Sequence, residues 1–424
     1  MNYNLSIINK KYKYVNNKFP VTVFIKITSK CLFKCHFCSQ GDSCNEEISI
    51  EDMKIILNKL KRNGVLRIFY TGGEPFLHTK FLEIVKYGKE LGFCQLVITN
   101  GYLLEKKSAK QILKYIDCLS ISIHGTESFH NTIVENKHSY EKIISGIEML
   151  KKEFPEIILD MCFTASKENA TKENIESVAK LCKKYNLLLT ITRAYIIGNE
   201  KNHDFSYIKP MIQTIDKLIN KGYKIEIGHC LVPCALNDNA TYLTSCCTAG
   251  INFCAIDING DVKICANSNQ VIGNVLNTRF KKIWRKNNNI LNKHINNLSI
   301  KCKNCSYFVQ CAGGCKCEDG IMENGNADLL YFYILEKEWQ KIYNFYIKTQ
   351  IAEIKKVAIN KYLLIGKNNC IINNKTYKMI KKIDFSKTFI ENQQISKIDK
   401  ELLLQLYKDG FLGVVENEKI YIKW

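Results

Sequence analysis

Six short apolar runs alternate with helical patterns across residues 21–195, and this alternation restricts the fold more than any other feature. The strand candidates are Val21–Ile27, Leu66–Tyr70, Cys94–Thr99, Cys118–Ile123, Ile157–Phe163 and Leu187–Tyr195. The helical stretches between them are Ile50–Asn63, Lys80–Leu91, Lys106–Tyr115, Ser139–Phe154 and Glu173–Tyr185. Strands that alternate with helices form parallel sheets. We therefore expect an α/β fold with a partial (β/α)6 TIM-like barrel, whose chemistry lies at the C-terminal ends of the strands.

The length of 424 residues predicts two or three domains. Changes in composition suggest an N-terminal arm at 1–20, the barrel at 21–204, a bridging region at 205–245, a cysteine-rich domain at 246–328, a helix at 329–357 and a small α+β module at 358–424. The bridging region begins with a helical pattern at Phe205–Lys221. The last module contains a helix near Lys397–Lys408 and a strand at Lys419–Trp424. A C-terminal extension that packs on the core is an equally open interpretation of that module.

The sequence lacks the features of secreted and membrane-spanning proteins. It has no apolar N-terminal signal region and no run of about 18 or more apolar residues. The 20 cysteines are clustered in a long chain, which indicates metal binding rather than disulfides. We therefore expect a protein of the reducing cytoplasm without a membrane partner.

The net charge of +20 raises the question of a nucleic-acid partner. Lys, Asn and Ile are frequent throughout the chain, and no element interleaves basic and aromatic residues on one face as a nucleic-acid groove would. We expect no nucleic-acid partner. A basic surface is instead suited to an acidic polypeptide.

Three cysteines lie within eight residues directly after the first predicted strand, in the run Cys31-Leu-Phe-Lys-Cys35-His-Phe-Cys38. This is one ligand fewer than the four cysteines that normally hold an iron–sulfur cluster. A cluster bound by three thiolates leaves one iron free for another ligand, as an open zinc site leaves a position for substrate. The spacing therefore predicts a catalytic cluster at the C-terminal edge of the sheet.

Two further segments end predicted strands at the same edge. The second strand is followed by Gly72-Gly73-Glu74, in which two glycines would let a ligand approach the backbone and a carboxylate could receive an ammonium group. A tight turn is the alternative interpretation of this segment taken alone. Thr99-Asn100-Gly101 after the third strand predicts only a turn.

The cysteine triplet, with the aromatic Phe37 before its third cysteine, and the Gly72-Gly73-Glu74 segment resemble the motifs of radical S-adenosylmethionine (SAM) enzymes. The resemblance implies that Cys31, Cys35 and Cys38 hold a 4Fe–4S cluster whose open iron binds SAM. One electron would then cleave SAM to methionine and a 5′-deoxyadenosyl radical, which abstracts a hydrogen atom from the substrate. A reduced ferredoxin or flavodoxin would supply the electron.

The same resemblance implies roles for individual residues around SAM. Gly72, Gly73 and Glu74 would hold its amino group, and Ser122 would bind its ribose; a strand serine with a structural role is the alternative for Ser122. Arg193, at the end of the sixth predicted strand, could pair with the SAM carboxylate through two hydrogen bonds. Many relatives carry an arginine shortly after the segment that here contains His130, whereas this chain has Val134 near that position.

A second group of cysteines follows the bridging region. It comprises Cys247, Cys254, Cys265, Cys302, Cys305, Cys311, Cys315 and Cys317. Twelve residues separate Cys247 from Gly260, and Gly260-x4-Cys265 is followed by CxxCx5CxxxC. This pattern resembles the SPASM domain, the auxiliary-cluster module of radical SAM maturases, and the whole resemblance spans roughly residues 20–320.

By that resemblance, one auxiliary 4Fe–4S cluster is bound by Cys247, Cys254, Cys265 and Cys315. A second would use Cys302, Cys305 and Cys311, with Cys317 or an open site completing it. Structural zinc is the alternative, because sites with four cysteines also suit zinc. The nearby Cys230 and Cys234 have no assigned role.

The leading hypothesis is a maturase that modifies a ribosomally synthesised precursor peptide or protein by installing a thioether or carbon-linked crosslink. An anaerobic sulfatase-maturing enzyme, which forms formylglycine, is a second hypothesis. That family typically has an aspartate directly after the cysteine equivalent to Cys265, where this chain has Ala266. A non-catalytic metal-binding scaffold or electron carrier is the third. The C-terminal module would help to hold a leader peptide by strand addition.

Overall fold

The fold is known from a computed structural model. It describes residues 19–35, 37–38, 45–194, 204–228, 231–236, 238–243, 247–287, 298, 302, 305–315, 346–349, 353–358, 361–365, 370–383, 393–394, 402–404 and 412–415. The chain divides into a large unit within Lys11–Leu329 and a smaller one that contains the described strands and helices after Leu330.

Six parallel strands form the centre of the large unit. They are β1 (Thr22–Thr28), β2 (Arg67–Gly72), β3 (Cys94–Thr99), β4 (Cys118–Ser122), β5 (Ile158–Ala165) and β6 (Leu188–Arg193). The helices that connect them are α1 (Ile50–Arg62), α2 (Phe81–Glu90), α3 (Lys107–Leu113), α4 (Glu127–Ile133), α5 (Ser139–Glu153) and α6 (Lys172–Tyr185). Each strand pairs in parallel with the next along the chain. The expected α/β fold is confirmed, and α4 is an additional helix that the pattern did not predict.

Local sequence explains where these helices begin. The side chains of Ser49 and Thr171 accept hydrogen bonds from backbone N–H groups in the first turns of α1 and α6. Such caps satisfy donors that have no partner within the helix. Helix α6 ends at Asn186, which adopts a left-handed conformation with φ of 53°. The apolar positions of each helix fall on one face, which packs against the sheet.

The bridging region continues the same architecture. It contains helix α7 (Ile208–Asn220) and strand β7 (Ile225–Ile227), which pairs in parallel with β6. Short 3-10 helices follow at Pro233–Ala235 and Asp238–Leu243. The predicted helix in this region is therefore present, and β7 adds a seventh parallel strand that its three-residue length concealed.

Three strands from the cysteine-rich segment join the opposite side of this sheet. They are β8 (Phe253–Ile256), β9 (Asp261–Lys263) and β10 (Val271–Asn274), and helix α8 (Phe308–Cys311) follows them. Strand β8 is parallel to β1, whereas β9 and β10 are antiparallel to their neighbours. The described sheet thus has the order β10-β9-β8-β1-β2-β3-β4-β5-β6-β7. The cysteine-rich segment is built directly onto the first strand of the barrel.

The two faces of the parallel sheet differ in burial. One face packs on the helices: Gln95, for example, donates a hydrogen bond from Nε2 to the carbonyl of Val85 in α2 and is fully buried. Ile25 and Ile121 lie on this face and are also fully buried. The alternate positions are partly buried: β4 and β5 carry the polar Ser120 and Asp160 there, whereas β1 and β2 carry the stacked rings of Phe24 and Phe69. We call this second side the open face.

The smaller unit contains two antiparallel sheets. Strands β12 (Glu353–Ala358), β13 (Lys361–Ile365) and β14 (Cys370–Asn373) form one sheet in that order, and helix α9 (Asn374–Ile380) follows. Strand β11 (Tyr346–Thr349) pairs with β15 (Leu412–Val415). Helical residues also occur at 402–404, within the helix predicted at Lys397–Lys408, and the strand predicted at Lys419–Trp424 lies outside the described residues.

The helix expected at 329–357 is wrong in its C-terminal part, because β11 and the start of β12 lie there. The residues before 346 lie outside the described part of the chain. Alternating apolar residues such as Ile347, Ile354 and Val357 are compatible with either structure over such short lengths. Antiparallel pairing with β15 and β13 decides in favour of strands.

Across the residues described, no helix combines the length and the apolar character needed to cross a membrane.

Candidate functional site

The cysteine triplet lies in the loop that leaves the C-terminal end of β1. Phe33, inside this loop, packs with Ile133 and Val134 of the α4 end, and Cys31 and Cys35 pack against the same cluster. Within the loop, the backbone N–H of Cys38 donates to the carbonyl of Cys35 at 3.0 Å. The loop is thus anchored by an apolar contact on one side while its cysteines remain at the edge of the sheet.

The three thiols lie close enough to influence one another. Burial raises the pKa of Cys35 to about 12, and the nearby Cys38 and Cys31 add to this rise. Burial is also the main reason that the pKa of Cys31 is raised. Without a metal, the thiols of Cys31 and Cys35 therefore favour the protonated form, whereas a bound cation stabilises the thiolate.

The two glycines of the Gly72-Gly73-Glu74 segment are required by the chain itself. A Cβ on Gly72 would lie 2.1 Å from the carbonyl oxygen of Thr28, and one on Gly73 would lie 2.2 Å from that of Lys30. Gly73 and Glu74 donate backbone hydrogen bonds to the same two carbonyls, at 2.8 and 2.7 Å. The group that approaches these glycines in the structure is therefore the backbone that leads into the cysteine loop.

Glu74 is fully buried, and its carboxylate is engaged within the protein. One oxygen accepts hydrogen bonds from the Phe76 backbone and the Thr99 hydroxyl, at 3.1 and 2.9 Å. The other accepts from the backbone of Asn100 at 2.8 Å. Burial raises the pKa of Glu74 to about 7, although these donors oppose the rise. The glutamate thus connects the ends of β2 and β3, and a contact of its carboxylate with SAM stays a prediction.

Phe37 links the cysteine loop to two histidines after β4. Its ring contacts that of His124 edge to face, with centroids 4.8 Å apart, and His124 stacks on His130. The backbone N–H of His124 donates to Nδ1 of His130 at 3.1 Å. Nδ1 of His130 is therefore the acceptor, and Nε2 carries the proton toward the Ser139 hydroxyl at 2.9 Å. Sequence reasoning missed these histidines, because two isolated histidines carry no distinctive spacing.

Ser122 is the last residue of β4 and lies on the open face. Lower on this face, hydrogen bonds cross four strands: the Ser120 hydroxyl donates to Asp160 at 3.0 Å, and that of Thr190 contacts Asp160 and Glu226 at 3.5 and 3.0 Å. Burial, with the Glu226 charge as a further contribution, raises the pKa of Asp160 to about 6. The open face therefore offers a polar wall below the edge that carries the cysteines.

Arg193 takes a position different from the one expected for a SAM contact. It is the last residue of β6 and lies on the same face of the strand as Ile191, the face that packs on the helices. Its side chain is buried, with 2% exposed. Its guanidinium lies 5.0 Å from the centroid of the Phe205 ring. Val134 is also buried, in the apolar cluster beside Phe33. Neither residue lies on the open face in this structure, so the SAM contact of Arg193 stays a prediction.

The second cysteine group falls on strands, turns and a short helix of the large unit. Cys254 and Cys315 are buried, Cys265 is 8% exposed, and Cys305 is exposed. Cys247, Cys302 and Cys311 are partly buried, whereas Cys230 and Cys317 lie outside the described residues. Cys234 is exposed in the 3-10 helix Pro233–Ala235.

The turn between Cys311 and Cys315 has an unusual backbone. Ala312, Gly313 and Gly314 all have positive φ, at 49°, 88° and 80°. Two glycines make such a turn accessible, and it brings Cys315 back into the buried interior.

Cys254 differs from the other candidate ligands. It lies on β8 opposite Val23 of β1, so its side chain faces the helix layer, and it is fully buried. Burial alone raises its pKa. No other cysteine among the described residues influences it electrostatically, which is the environment of a core cysteine. Its role as an iron ligand stays a prediction.

In the described ranges, no three His, Cys, Asp or Glu side chains converge as ligands of a single metal ion would. A 4Fe–4S cluster makes a different demand, because each cysteine binds a separate iron and the thiolates surround the cluster rather than one point. The triplet loop, with three mutually influencing thiols at the sheet edge, fits that demand.

Family models match both regions that carry the cysteines. The radical SAM superfamily model matches residues 25–182, which include the end of β1, the cysteine loop and the Gly72-Gly73-Glu74 segment. The SPASM model, an iron–sulfur cluster-binding domain, matches residues 246–306. The chain therefore contains a radical SAM domain and a SPASM domain. Its cofactors are accordingly SAM and iron–sulfur clusters, and the SPASM match contains Cys247, Cys254, Cys265, Cys302 and Cys305.

Two curated relatives cover most of the chain. The AdoMet-dependent heme synthase of Oleidesulfovibrio alaskensis is 25% identical over 340 residues, which are 71% of this chain and 84% of the relative. The mycofactocin maturase of Mycolicibacterium smegmatis is 26% identical over 320 residues, which are 70% of this chain and 78% of the relative. The cysteine motifs indicate a resemblance to radical SAM/SPASM proteins, and these relatives confirm it.

Solved structures confirm the fold. SuiB of Streptococcus suis, bound to its precursor peptide SuiA, aligns with a TM-score of 0.58 and 19% identity over 71% of this chain and 72% of that chain. The enzyme anSMEcpe with bound AdoMet aligns with a TM-score of 0.57 and 17% identity over 76% of this chain and 94% of that chain. At these identities the likeness establishes a shared architecture.

The residues at the sheet edge fit the family cofactors. Cys31, Cys35 and Cys38 provide three thiolates for a cluster with one open iron. Nearby, the side-chain nitrogen of Asn100, Nδ2, is buried and has no hydrogen-bond partner among the described residues. A buried donor without a partner is costly and suits a site that a polar ligand completes.

Proposed function

We propose that this radical SAM/SPASM enzyme acts on a ribosomally synthesised precursor peptide and installs a crosslink, either a thioether or a carbon-linked bond. The main observation in support is that the SPASM strand β8 pairs directly with β1, the strand that leads into the SAM-cluster cysteines. A second metal centre is thereby built onto the same sheet as the first. Similarity to the mycofactocin maturase is further support.

When bound, the reduced cluster and SAM supply the radical chemistry that removes a hydrogen atom from the substrate. The protein holds the cysteine loop in position. Hydrogen bonds from Gly73 and Glu74 to the backbone of Thr28 and Lys30 hold the cysteine loop against the β2 turn. Phe37 and its contact with His124 hold the other end of that loop. Both contacts fix the loop that carries the cysteine sulfurs before any ligand binds.

The open face is the surface on which we place the substrate. Ser120, Asp160, Thr190 and Glu226 provide hydroxyl and carboxylate groups across four adjacent strands. A peptide has many hydrogen-bonding groups and can bind to such a polar surface. Asp160, with a pKa of about 6, is mostly ionised near neutral pH and could accept a proton from a bound substrate.

The smaller unit would recognise the leader part of the peptide. In its three-stranded sheet, β12 and β14 are the outer strands of the described order. Outer strands can pair with an extended peptide through backbone hydrogen bonds. The charge of +20 suits acidic partners, both a leader peptide and a ferredoxin or flavodoxin that delivers the electron.

The proposal is tested with anaerobically purified protein reconstituted with iron and sulfide. After addition of dithionite, SAM and each small peptide encoded beside the gene, mass spectrometry should detect a product lighter by two hydrogen atoms. Tandem fragmentation should locate the crosslink. The matched control is Cys35→Ala, which should form neither product nor 5′-deoxyadenosine.

Other outcomes would support different functions. Conversion of a sulfatase-derived Cys or Ser peptide to its aldehyde would establish the sulfatase-maturing activity, against which Ala266 argues. Absence of 5′-deoxyadenosine from iron-loaded wild-type protein would indicate a metal-binding scaffold or electron carrier. Either result would refute the crosslinking proposal.

A further inference from the structure

Asn100 follows β3 at the edge that carries the cysteine loop, and two hydrogen bonds and the turn at Gly101 fix its position. Its backbone N–H donates to Glu74 at 2.8 Å, and its side-chain oxygen accepts the Tyr102 backbone N–H at 3.0 Å. The next residue, Gly101, has a φ of 76°, and a Cβ there would meet Ile121 at 2.9 Å. The turn therefore holds the asparagine side chain in one place.

These contacts also determine which way the Asn100 amide faces. If oxygen and nitrogen were exchanged, an N–H group of the amide would oppose the N–H of Tyr102. The oxygen thus belongs to Tyr102, and the nitrogen Nδ2 is directed elsewhere. Nδ2 is inaccessible to solvent and has no partner among the described residues. The two N–H groups on Nδ2 therefore have no acceptor among the described residues.

Asn100 lies between the two segments that carry the SAM motifs. Glu74, its backbone partner, belongs to the β2 turn. Tyr102, its side-chain partner, contacts Phe33 of the cysteine loop edge to face, with ring centroids 5.5 Å apart. Asn100 is thus connected to both segments, to the β2 turn through Glu74 and to the cysteine loop through Tyr102.

We propose that Nδ2 of Asn100 donates a hydrogen bond to the methionyl carboxylate of SAM. The carboxylate of SAM would lie near the buried Glu74 and needs donors to offset the unfavourable approach of two acidic groups. Val134 is apolar and packs beside Phe33, and the Arg193 guanidinium lies against the Phe205 ring on the helix-facing side of β6. The proposal concerns SAM itself and holds whichever substrate the enzyme modifies.

The test measures binding of SAM and of decarboxylated SAM to reconstituted protein under anaerobic conditions. The variant Asn100→Asp keeps the acceptor for Tyr102 but replaces the donor with an oxygen. We expect its dissociation constant for SAM to rise about 10- to 100-fold, the usual effect of losing a hydrogen bond to a charged group. Its affinity for decarboxylated SAM should not fall, because that ligand lacks the carboxylate and the added aspartate does not repel a cation.

Two further variants keep the test decisive. Thr99→Val removes the hydroxyl that donates to Glu74 and accepts the Gly101 backbone N–H, but it leaves the Asn100 amide intact. It should therefore change the affinities for both ligands by the same factor or not at all. Asn100→Ala removes the amide without adding a charge and should repeat the selective loss, also if the aspartate variant fails to fold. An equal loss for both ligands in the Asn100 variants, or no loss, would overturn the proposal. Failure of the wild type to bind SAM would refute the cofactor assignment as well, and the wild-type measurement alone reveals that case.

Discussion

Replacement of Gly73 by alanine should separate the β2 turn from the cysteine loop. The new Cβ would lie 2.2 Å from the carbonyl oxygen of Lys30, 2.6 Å from its carbonyl carbon and 2.7 Å from the carbonyl oxygen of Ser29. All three are backbone atoms and cannot rotate away as a side chain would. Relief of the overlap requires a displacement of about 1 Å, given ordinary van der Waals distances.

That displacement disrupts two backbone hydrogen bonds, from Gly73 to Thr28 and from Glu74 to Lys30. Each bond contributes about 1 kcal/mol, and each buried group left without a partner costs about 1–3 kcal/mol. We therefore expect the free energy of unfolding to fall by about 2–5 kcal/mol. The cysteine loop should also lose its fixed geometry, so that less iron is bound per chain after reconstitution.

Gly222→Ala is the matched control. Gly222 has a φ of 79°, but apart from its chain neighbours no atom of the described residues lies within 4 Å of a Cβ placed there. The substitution should cost about 1–2 kcal/mol through backbone strain alone and leave iron binding unchanged. Denaturant unfolding of the metal-free proteins and iron analysis of the reconstituted ones provide the comparison. If Gly73→Ala were no more destabilising than Gly222→Ala and bound as much iron, the packing argument would be refuted.

Three other changes have defined expected outcomes. Cys254→Ala and Cys265→Ala should each reduce the iron bound after reconstitution, as expected of cluster ligands; an unchanged iron content in Cys254→Ala alone would make Cys254 a core cysteine. Tyr70→Phe should destabilise by about 1–3 kcal/mol, because it leaves the buried side-chain oxygen of Gln95 without its hydroxyl donor; an unchanged melting temperature would contradict this. Burial lowers the pKa of His130 from 6.5 to about 4. The unfolded chain therefore binds the proton more readily, and stability falls by up to about 3 kcal/mol as the pH drops from 6.5 to 4. His130→Gln should lack this part of the acid dependence in unfolding measured at several pH values, and an identical dependence would refute the assignment.

Much of the large unit could be predicted because its signals are local. The apolar runs and helical patterns place six strands and five helices close to their observed bounds, since the period of two or 3.6 residues is visible within a short window. The signal failed where elements are short or paired at a distance. Strand β7 has only three residues. The residues of β11 and β12 fit a helical pattern as well, and only their pairing with β15 and β13 shows that they are strands.

The candidate site shows the same division. The spacing of Cys31, Cys35 and Cys38 predicts a cluster site from sequence, because a single short loop would supply all three ligands, and the structure places that loop at the C-terminal end of β1. The direction of single side chains could not be read in that way. Arg193 ends its strand as expected but faces the helices, and Glu74 points inward to Thr99 and Asn100.

The sequence alone thus determined the α/β fold and the presence of two cysteine-bearing domains, a radical SAM domain and a SPASM domain. These properties depend on residues near one another in the chain. Only the tertiary structure decided that Gly72 and Gly73 accommodate the backbone of Thr28 and Lys30, and that Asn100 keeps an unpaired donor beside the site. Such contacts join segments tens of residues apart, and packing of the complete sheet fixes their geometry.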